Sequence, residues 1–323
     1  MTKRILKAIL KSILTLLLVI FLYEQASQLY FNSKKPSAAE FVDIDGVPTH
    51  FVKKGKGGPT VVFQSGLGGD YKTWEAIQDS VSRFTTTLSY DRTGLQWSGP
   101  SKSPKTLESM TRELEILLEK TGCPKPYILV GHSLSGLTLR PFIQRHKQDI
   151  SGVIFLDVSH PEQVKRSSEE LKKYLVVPPQ GLVAALVESG WARIYFSFRP
   201  FISDVPGSHP MNKHITNYFY RSYKTVLQEA REDDLMFNEA GKINSFGSVP
   251  LTVITGAYPQ GTGFLEDPAL ENEYLEIHRS GQKDLLRLSA QSKQIIAPNS
   301  GHYVPLTDES LVINAILESV GSR

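Results

Sequence analysis

Cysteine is almost missing from this 323-residue chain, with Cys123 standing alone. That excludes an intramolecular disulfide, a cysteine-rich zinc cluster and any Cys-x-x-Cys redox pair. A strong surplus of one charge is missing too: 36 Lys and Arg face 33 Asp and Glu. The small positive balance belongs to the N-terminus, where residues 1–35 hold Lys3, Arg4, Lys7, Lys11, Lys34 and Lys35 against Glu24. No basic run follows, which argues against a nucleic-acid surface on the folded part. No internal repeat is visible either. What is present is a globular balance, 40% hydrophobic, 21% charged and 10% aromatic. The length suits one catalytic-sized α/β unit with additions as well as it suits two domains.

The first 23 residues, MTKRILKAILKSILTLLLVIFLY, have a positive start and an apolar run of 11 residues from Ile13 to Tyr23. The run is short of the ~20 residues that span a bilayer. Counted back to Ile5 it reaches 19, if Lys7 and Lys11 extend to the cytoplasmic headgroups. A small-residue cleavage site does not follow Tyr23 directly, because Glu24-Gln25-Ala26 intervenes, so the segment reads as a retained signal-anchor. Ser37-Ala38-Ala39 leaves cleavage and secretion open. Either way the basic start stays in the cytoplasm and residues 24–323 lie on the far side of the membrane.

After a polar linker, Ser33 to Glu40, strand-like and helix-like patterns alternate. That predicts a mainly parallel sheet with helices on its faces. Phe41–Ile44 and Thr49–Val52 flank Asp45-Gly46 as an opening hairpin. Thr60–Gln64, Thr86–Tyr90, Tyr127–Val130, Val153–Leu156, Leu251–Thr255 and Gln294–Ala297 read as short buried strands. Thr106–Thr121 and Leu311–Val320 carry apolar residues at helical spacing. Residues 161–248 break the alternation and read as an inserted helical cap. They hold 12 of the chain's 31 aromatics, whose two readings are packing against the main domain or lining an apolar acyl or aryl pocket.

The sharpest motif is Tyr127-Ile128-Leu129-Val130-Gly131-His132-Ser133-Leu134-Ser135-Gly136-Leu137, an apolar strand, a tight turn and an apolar helix start. Small residues around Ser133 let the backbone turn sharply and lift the hydroxyl clear of the sheet, over a helix N-terminus. Here the chain resembles the α/β-hydrolase fold superfamily, whose elbow is Gly-x-Ser-x-Gly, with Ser135 in place of the fifth glycine. The strand Val61–Gln64 runs into Ser65-Gly66-Leu67-Gly68-Gly69, which resembles the family's oxyanion loop. The resemblance implies backbone N–H donors at Leu67 and Leu134. It implies His302 as general base, in the Gly301-His302-Tyr303 loop after the last strand. His132 is assigned a supporting place beside the nucleophile, and His50, His146, His160, His209, His214 and His278 need no catalytic explanation. For the acid, the end of Leu251–Thr255 offers no carboxylate, so the resemblance points one strand earlier to Asp157, with Glu266 and Asp267 as alternatives.

Tyr90-Asp91-Arg92-Thr93-Gly94-Leu95-Gln96-Trp97-Ser98 resembles a loop of bacterial members. Asp91 and Arg92 are expected to hold it by charge-assisted hydrogen bonds, and Trp97 either packs under it or meets substrate. Pro141 falls inside the helix expected after the elbow, so that helix is short or bent.

The expected organisation is an anchor and linker over residues 1–35, an α/β-hydrolase core over 36–160 and 249–323, and a cap over 161–248. The expected activity is a serine hydrolase acting on a carboxylic ester or related acyl compound, without a metal or organic cofactor and with a small, apolar acyl substrate. Serine at the elbow argues against the aspartate-nucleophile chemistry by which the family opens epoxides. Three alternatives stay open: a non-catalytic binding protein on the same scaffold, an acyltransferase, or a lipase at the membrane surface.

Overall fold

The structure, a computed structural model, describes residues 3–36, 40–231, 233–257, 265 and 267–321. Helix α1 (Lys3–Asn32) opens the chain and is followed by β1 (Glu40–Ile44), β2 (Val47–Lys54), β3 (Thr60–Gln64), α2 (Glu75–Val81), β4 (Thr87–Tyr90), α3 (Leu107–Thr121) and β5 (Tyr127–His132). Next come α4 (Ser135–Thr138), α5 (Arg140–Arg145) and β6 (Ile150–Leu156). The insertion after β6 carries α6 (Gln163–Arg166), α7 (Glu169–Lys172), α8 (Gln180–Glu188), α9 (Trp191–Phe198), α10 (Pro210–Arg231) and α11 (Asp233–Gly241). The chain closes with β7 (Leu251–Gly256), α12 (Pro268–Asp284), β8 (Ser292–Ala297), α13 (Val304–Thr307) and α14 (Glu309–Gly321).

Eight strands form one sheet in the order β1-β2-β4-β3-β5-β6-β7-β8. Only β1 with β2 and β2 with β4 pair antiparallel; the remaining neighbours are parallel. Period-two alternation sends the side chains of the central strands into two cores. Val61, Phe63, Ile128, Val130, Ile154 and Leu156 point to one face and meet Ile77 and Val81 of α2 and Val312 and Ile316 of α14. Val62, Leu129, Val153 and Phe155 point to the other, against Leu114 and Leu117 of α3 and Phe142 and Ile143 of α5. Because both faces are covered, these strands read in sequence as unbroken apolar runs. Truncating a side chain such as Leu129 to alanine is expected to cost about 2–5 kcal/mol.

α3 starts at a reciprocal cap in which Thr106 Oγ1 accepts from Ser109 N and Ser109 Oγ accepts from Thr106 N. Pro141 explains the break after the elbow: the helical path divides at Leu139, and Pro141 falls in the first turn of α5, where its missing N–H is tolerated. α1 runs beyond the apolar stretch to Asn32, since residues 24–32 contain neither glycine nor proline. Ser37-Ala38-Ala39 lies outside the described residues. Parallel strands bring their C-terminal ends to one edge, so the loops after β3, β5, β6 and β8 converge there beneath the insertion.

Candidate active site

At the end of β5 the chain turns through Ser133, whose φ is +54°. A non-glycine residue in this region costs on the order of 1–3 kcal/mol and persists only where its surroundings hold it. Ser133 N donates to Leu156 O at 3.3 Å, and Ser133 O accepts from Gly136 N at 3.1 Å and Ser159 N at 2.8 Å. Ser135, the departure from the five-residue motif, is buried, and its hydroxyl donates to His132 O at 2.9 Å. It fits because the first position is glycine: a Cβ on Gly131 would stand 2.4 Å from Ser135 Oγ.

Asp157, one residue past β6, repeats the strain with φ +47° and is held by donation from its N–H to Ile254 O at 2.7 Å. His302, in the loop between β8 and α13, places Nδ1 2.8 Å from Asp157 Oδ2 and Nε2 3.0 Å from Ser133 Oγ. Burial by itself would raise the Asp157 carboxyl, but the imidazoles of His278 and His302 outweigh it and hold the group well below the usual carboxylate range. Ionised Asp157 can only accept. His302 therefore carries its proton on Nδ1 and turns the Nε2 lone pair toward the serine hydroxyl. Asp267 is elsewhere, exposed and capping α12 by accepting from Ala269 N at 2.8 Å. Glu266 lies outside the described residues.

With this geometry in the sheet order above, a family model described as the alpha/beta hydrolase fold matches residues 59–180. The chain has the α/β-hydrolase fold. The protein YqjL of Bacillus subtilis is 26% identical over 276 residues, spanning 85% of this chain and 89% of its own length. A thermophilic esterase from Thermogutta terrifontis superposes with a TM-score of 0.62 at 18% identity, over 87% of this chain and 96% of that one. The Cif epoxide hydrolase from Acinetobacter nosocomialis superposes with a TM-score of 0.68 at 17% identity, over 93% and 96% of the two chains. Likeness at such identities speaks for the fold, and one fold serving an esterase and an epoxide hydrolase leaves the substrate to be argued from the site.

His278 is a site residue that sequence reasoning dismissed. From α12 its Nε2 approaches Asp157 Oδ1 at 2.9 Å, beside Gly256 N at 3.1 Å from the same oxygen. An ionised carboxylate requires His278 to donate from Nε2, so Asp157 is gripped by an imidazole on each oxygen. His132 is buried against the ring of His302, 4.6 Å between centroids, and its Nε2 donates to His302 O at 2.9 Å. Burial and the neighbouring His302 push its pKa down to about 3, so it serves as a neutral, fixed donor. His50 and His214 are structural, bonded to the buried carboxylates of Asp91 at 2.8 Å and Asp70 at 2.9 Å.

The glycine-rich loop of this hydrolase-fold chain is held by Arg92, which does more than brace its own segment. Its Nη1 and Nη2 donate to Ser65 O at 2.7 Å and Gly66 O at 2.8 Å, and its Nε and Nη2 grip both oxygens of Glu229 on α10 at 2.8 Å. Glu229 also accepts from Gly68 N at 3.2 Å. One buried ion pair thus fastens the loop to the insertion. Asp91 accepts from Tyr71 N at 3.0 Å and Trp97 N at 3.2 Å. Trp97 is packed, edge-on to Tyr218 at 5.5 Å and under the Arg221 guanidinium at 4.5 Å.

Ser133 stands where two cavities meet. One of about 190 Å³ is lined by Leu67, Leu134, Asp157, Gln163, His278 and His302, a largely polar set. The other, about 260 Å³, runs under the insertion past Phe201, Ile202, Met211, Ile215, Phe219 and Val226. A carbonyl lodged at Ser133 would have an apolar chamber on one side and a polar, histidine-lined chamber on the other.

Proposed function

We propose that this chain is a membrane-anchored serine hydrolase that cleaves a carboxylic ester or related acyl compound. The observation that carries the reading is one imidazole, His302, bridging Ser133 Oγ at 3.0 Å and Asp157 at 2.8 Å. Ser133 Oγ adds to the substrate carbonyl while its proton passes to His302 Nε2. Backbone N–H groups of Leu67 and Leu134 stabilise the oxyanion. Collapse breaks the ester C–O bond, the leaving alkoxide takes the proton from His302, and the acyl group remains on Ser133. A water molecule then repeats the addition, giving its proton to His302 and releasing the acid and the free serine. Asp157 stays ionised throughout, orienting His302 and stabilising the imidazolium; His278 and His132 act as positioning residues. The apolar chamber suits the acyl part and the polar one the leaving group and water.

The retained anchor rests on a separate observation. Glu24, just past the apolar run, is buried and paired with Arg193 of the insertion at 2.5 Å. Cleavage beyond it would remove that partner and bare Arg193, whose guanidinium also packs over the ring of Phe31 of α1 at 5.3 Å. The insertion, residues 161–248, acts as the cap over the site, and residues 24–323 lie outside the cytoplasm.

Labelling of the full chain in detergent with a fluorophosphonate, alongside p-nitrophenyl butyrate hydrolysis, tests the chemistry. Both are expected in the wild type and neither in Ser133→Ala. A folded wild type that is neither labelled nor active overturns the reading. Resistance of the full chain to alkaline extraction from membranes, with its N-terminal residues intact by mass spectrometry, is expected of the anchor; release into the soluble fraction overturns it.

A further inference from the structure

From Ile5 to Tyr23 the anchor helix covers 19 residues, about 28 Å at 1.5 Å per residue and close to the ~30 Å hydrocarbon core of a bilayer. The side chains along it are exposed, with Ile20 an exception. Gly190, in the turn between α8 and α9, lies over it: φ is +91°, and a Cβ there would stand 2.9 Å from Glu24 Cβ and 3.1 Å from Ile20 O. Next to this contact Arg193 grips both oxygens of Glu24 at 2.5 and 3.0 Å and donates to Thr216 O of α10 at 3.0 Å. The start of α9 is therefore fixed at the level where the apolar stretch ends, which is the outer boundary of the bilayer.

Beside this contact the insertion exposes a patch that water would not favour. Trp191, Tyr195 and Phe198 of α9 are 39%, 61% and 81% exposed, with Leu182 and Leu186 of α8 beside them. Between α8, α9 and α10 a cavity of about 410 Å³ opens, lined by Val183, Leu186, Val187, Trp191, Ala192 and Phe219 among other apolar or aromatic side chains. Tyr and Trp at its rim are the residues that settle at membrane interfaces. A peptide would find no partners in such a lining for its backbone, whereas a hydrocarbon chain needs none. Phe219 also lines the chamber that reaches Ser133 and His302. It meets Phe196 at 5.4 Å and Phe201 at 6.5 Å between ring centroids, so these rings stand between groove and chamber.

We propose that the α8–α9 groove binds the hydrocarbon chain of an ester resident in the outer leaflet and hands it to Ser133 past Phe219. Substrate then arrives laterally from the bilayer and not from water. The inference rests on the ester-hydrolase and anchor readings above, and two measurements separate its failure from theirs.

The first needs no turnover. Trp74 and Trp97 are 0% and 7% exposed, so Trp191 is the reporter for lipid contact. In the full chain reconstituted into phosphatidylcholine vesicles, dibrominated acyl chains are expected to quench tryptophan fluorescence, and Trp191→Phe is expected to remove most of that quenching. Quenching that is absent, or unchanged in Trp191→Phe, overturns the groove. The second compares kcat/KM for p-nitrophenyl palmitate and p-nitrophenyl acetate in the same vesicles. Ala192→Trp, which fills the groove, is expected to lower the palmitate-to-acetate ratio about tenfold or more, with fluorophosphonate labelling verifying that the site has folded. Phe219→Ala is expected to raise the ratio. A ratio that Ala192→Trp leaves unchanged overturns the proposal. Quenching through Trp191 in a chain that hydrolyses neither ester overturns the ester reading while supporting the groove.

Discussion

Two buried arginine–glutamate clamps hold the insertion, and they differ in what else the arginine touches. Arg92 reaches Glu229 across 137 positions of sequence, and Arg193 reaches Glu24 across 169. Arg92 spends its remaining donors on Ser65 O and Gly66 O, in the loop beside Ser133. Arg193 spends its own on Thr216 O and Asn217 O, inside the insertion. The first clamp therefore sets the insertion against the loop beside Ser133, and the second sets it against α1. Breaking them should separate chemistry from placement.

The scale for that comparison is Asp157 itself. Asp157→Asn keeps the shape but replaces an acceptor with a group that also donates, so His302 loses the fixed proton on Nδ1 and its orientation toward Ser133. A fall in kcat of about 10⁴-fold is expected, read as ester turnover, with thermal unfolding showing that the fold persists. A fall of tenfold or less would mean that Asp157 is not what orients His302.

Arg92→Met comes next. It leaves Glu229 buried and unpaired, which costs about 3–5 kcal/mol, and Glu229→Met added to it should recover much of the loss because an apolar pair of similar volume replaces the ions. Even in that recovered double variant the Ser65 and Gly66 carbonyls lose the Arg92 donors, so kcat for a short ester should remain depressed. Glu24→Gln should cost less, about 1–3 kcal/mol, and leave short-ester kcat unchanged while shifting the preference for long chains. Urea unfolding in detergent and the two ester assays read both effects. Equal loss of short-ester kcat in the two variants would erase the distinction between the clamps.

What the sequence made legible follows the same division. The strands of both cores and the turn at Ser133 are written locally, as apolar runs ending in small residues, whereas His302 is reached only through the resemblance of its loop to the family's. The eight strand-like runs each overlap a strand of the sheet. Glu229, Arg193 and His278 carry no local signal. A glutamate late in an amphipathic helix reads as surface until Arg92 is seen beneath it, and His278 sits 121 positions from the carboxylate it meets. Nothing local marks His278, because its pairing with Asp157 depends on where α12 crosses the end of β6, which tertiary packing decides. The one usable hint was Asp157, since a buried carboxylate at a strand end has two oxygens to satisfy and His302 accounts for one.

His278→Phe tests that pairing through its pH dependence. The folded-state Asp157 carboxyl is held below its unfolded value of ~3.9, so its contribution to stability is present above about pH 4 and is lost as pH falls toward the depressed value. Phenylalanine keeps the ring and removes the donor, so the carboxyl is depressed less. The stability gap between wild type and variant should be about 1–2 kcal/mol at pH 7 and should shrink below about pH 4. A gap that persists unchanged into acid-unfolding conditions would mean that only packing was lost.

The smallest effect should come from the position where this chain departs from the five-residue elbow. Ser135→Gly restores the family pattern, and the intuitive expectation is a gain in activity. The contacts argue otherwise. Ser135 is fully buried and satisfies His132 O at 2.9 Å, while the strain at Ser133 is held by Leu156 O, Gly136 N and Ser159 N, none of which belongs to residue 135. Removing the side chain gives up one hydrogen bond, about 1 kcal/mol, and adds glycine's cost in the first turn of a helix, up to about 1 kcal/mol. Turnover should stay within about twofold and unfolding should come slightly earlier. A large gain in turnover would show that Ser135 constrains the elbow, and would move the origin of the Ser133 conformation from its backbone partners to that one hydroxyl.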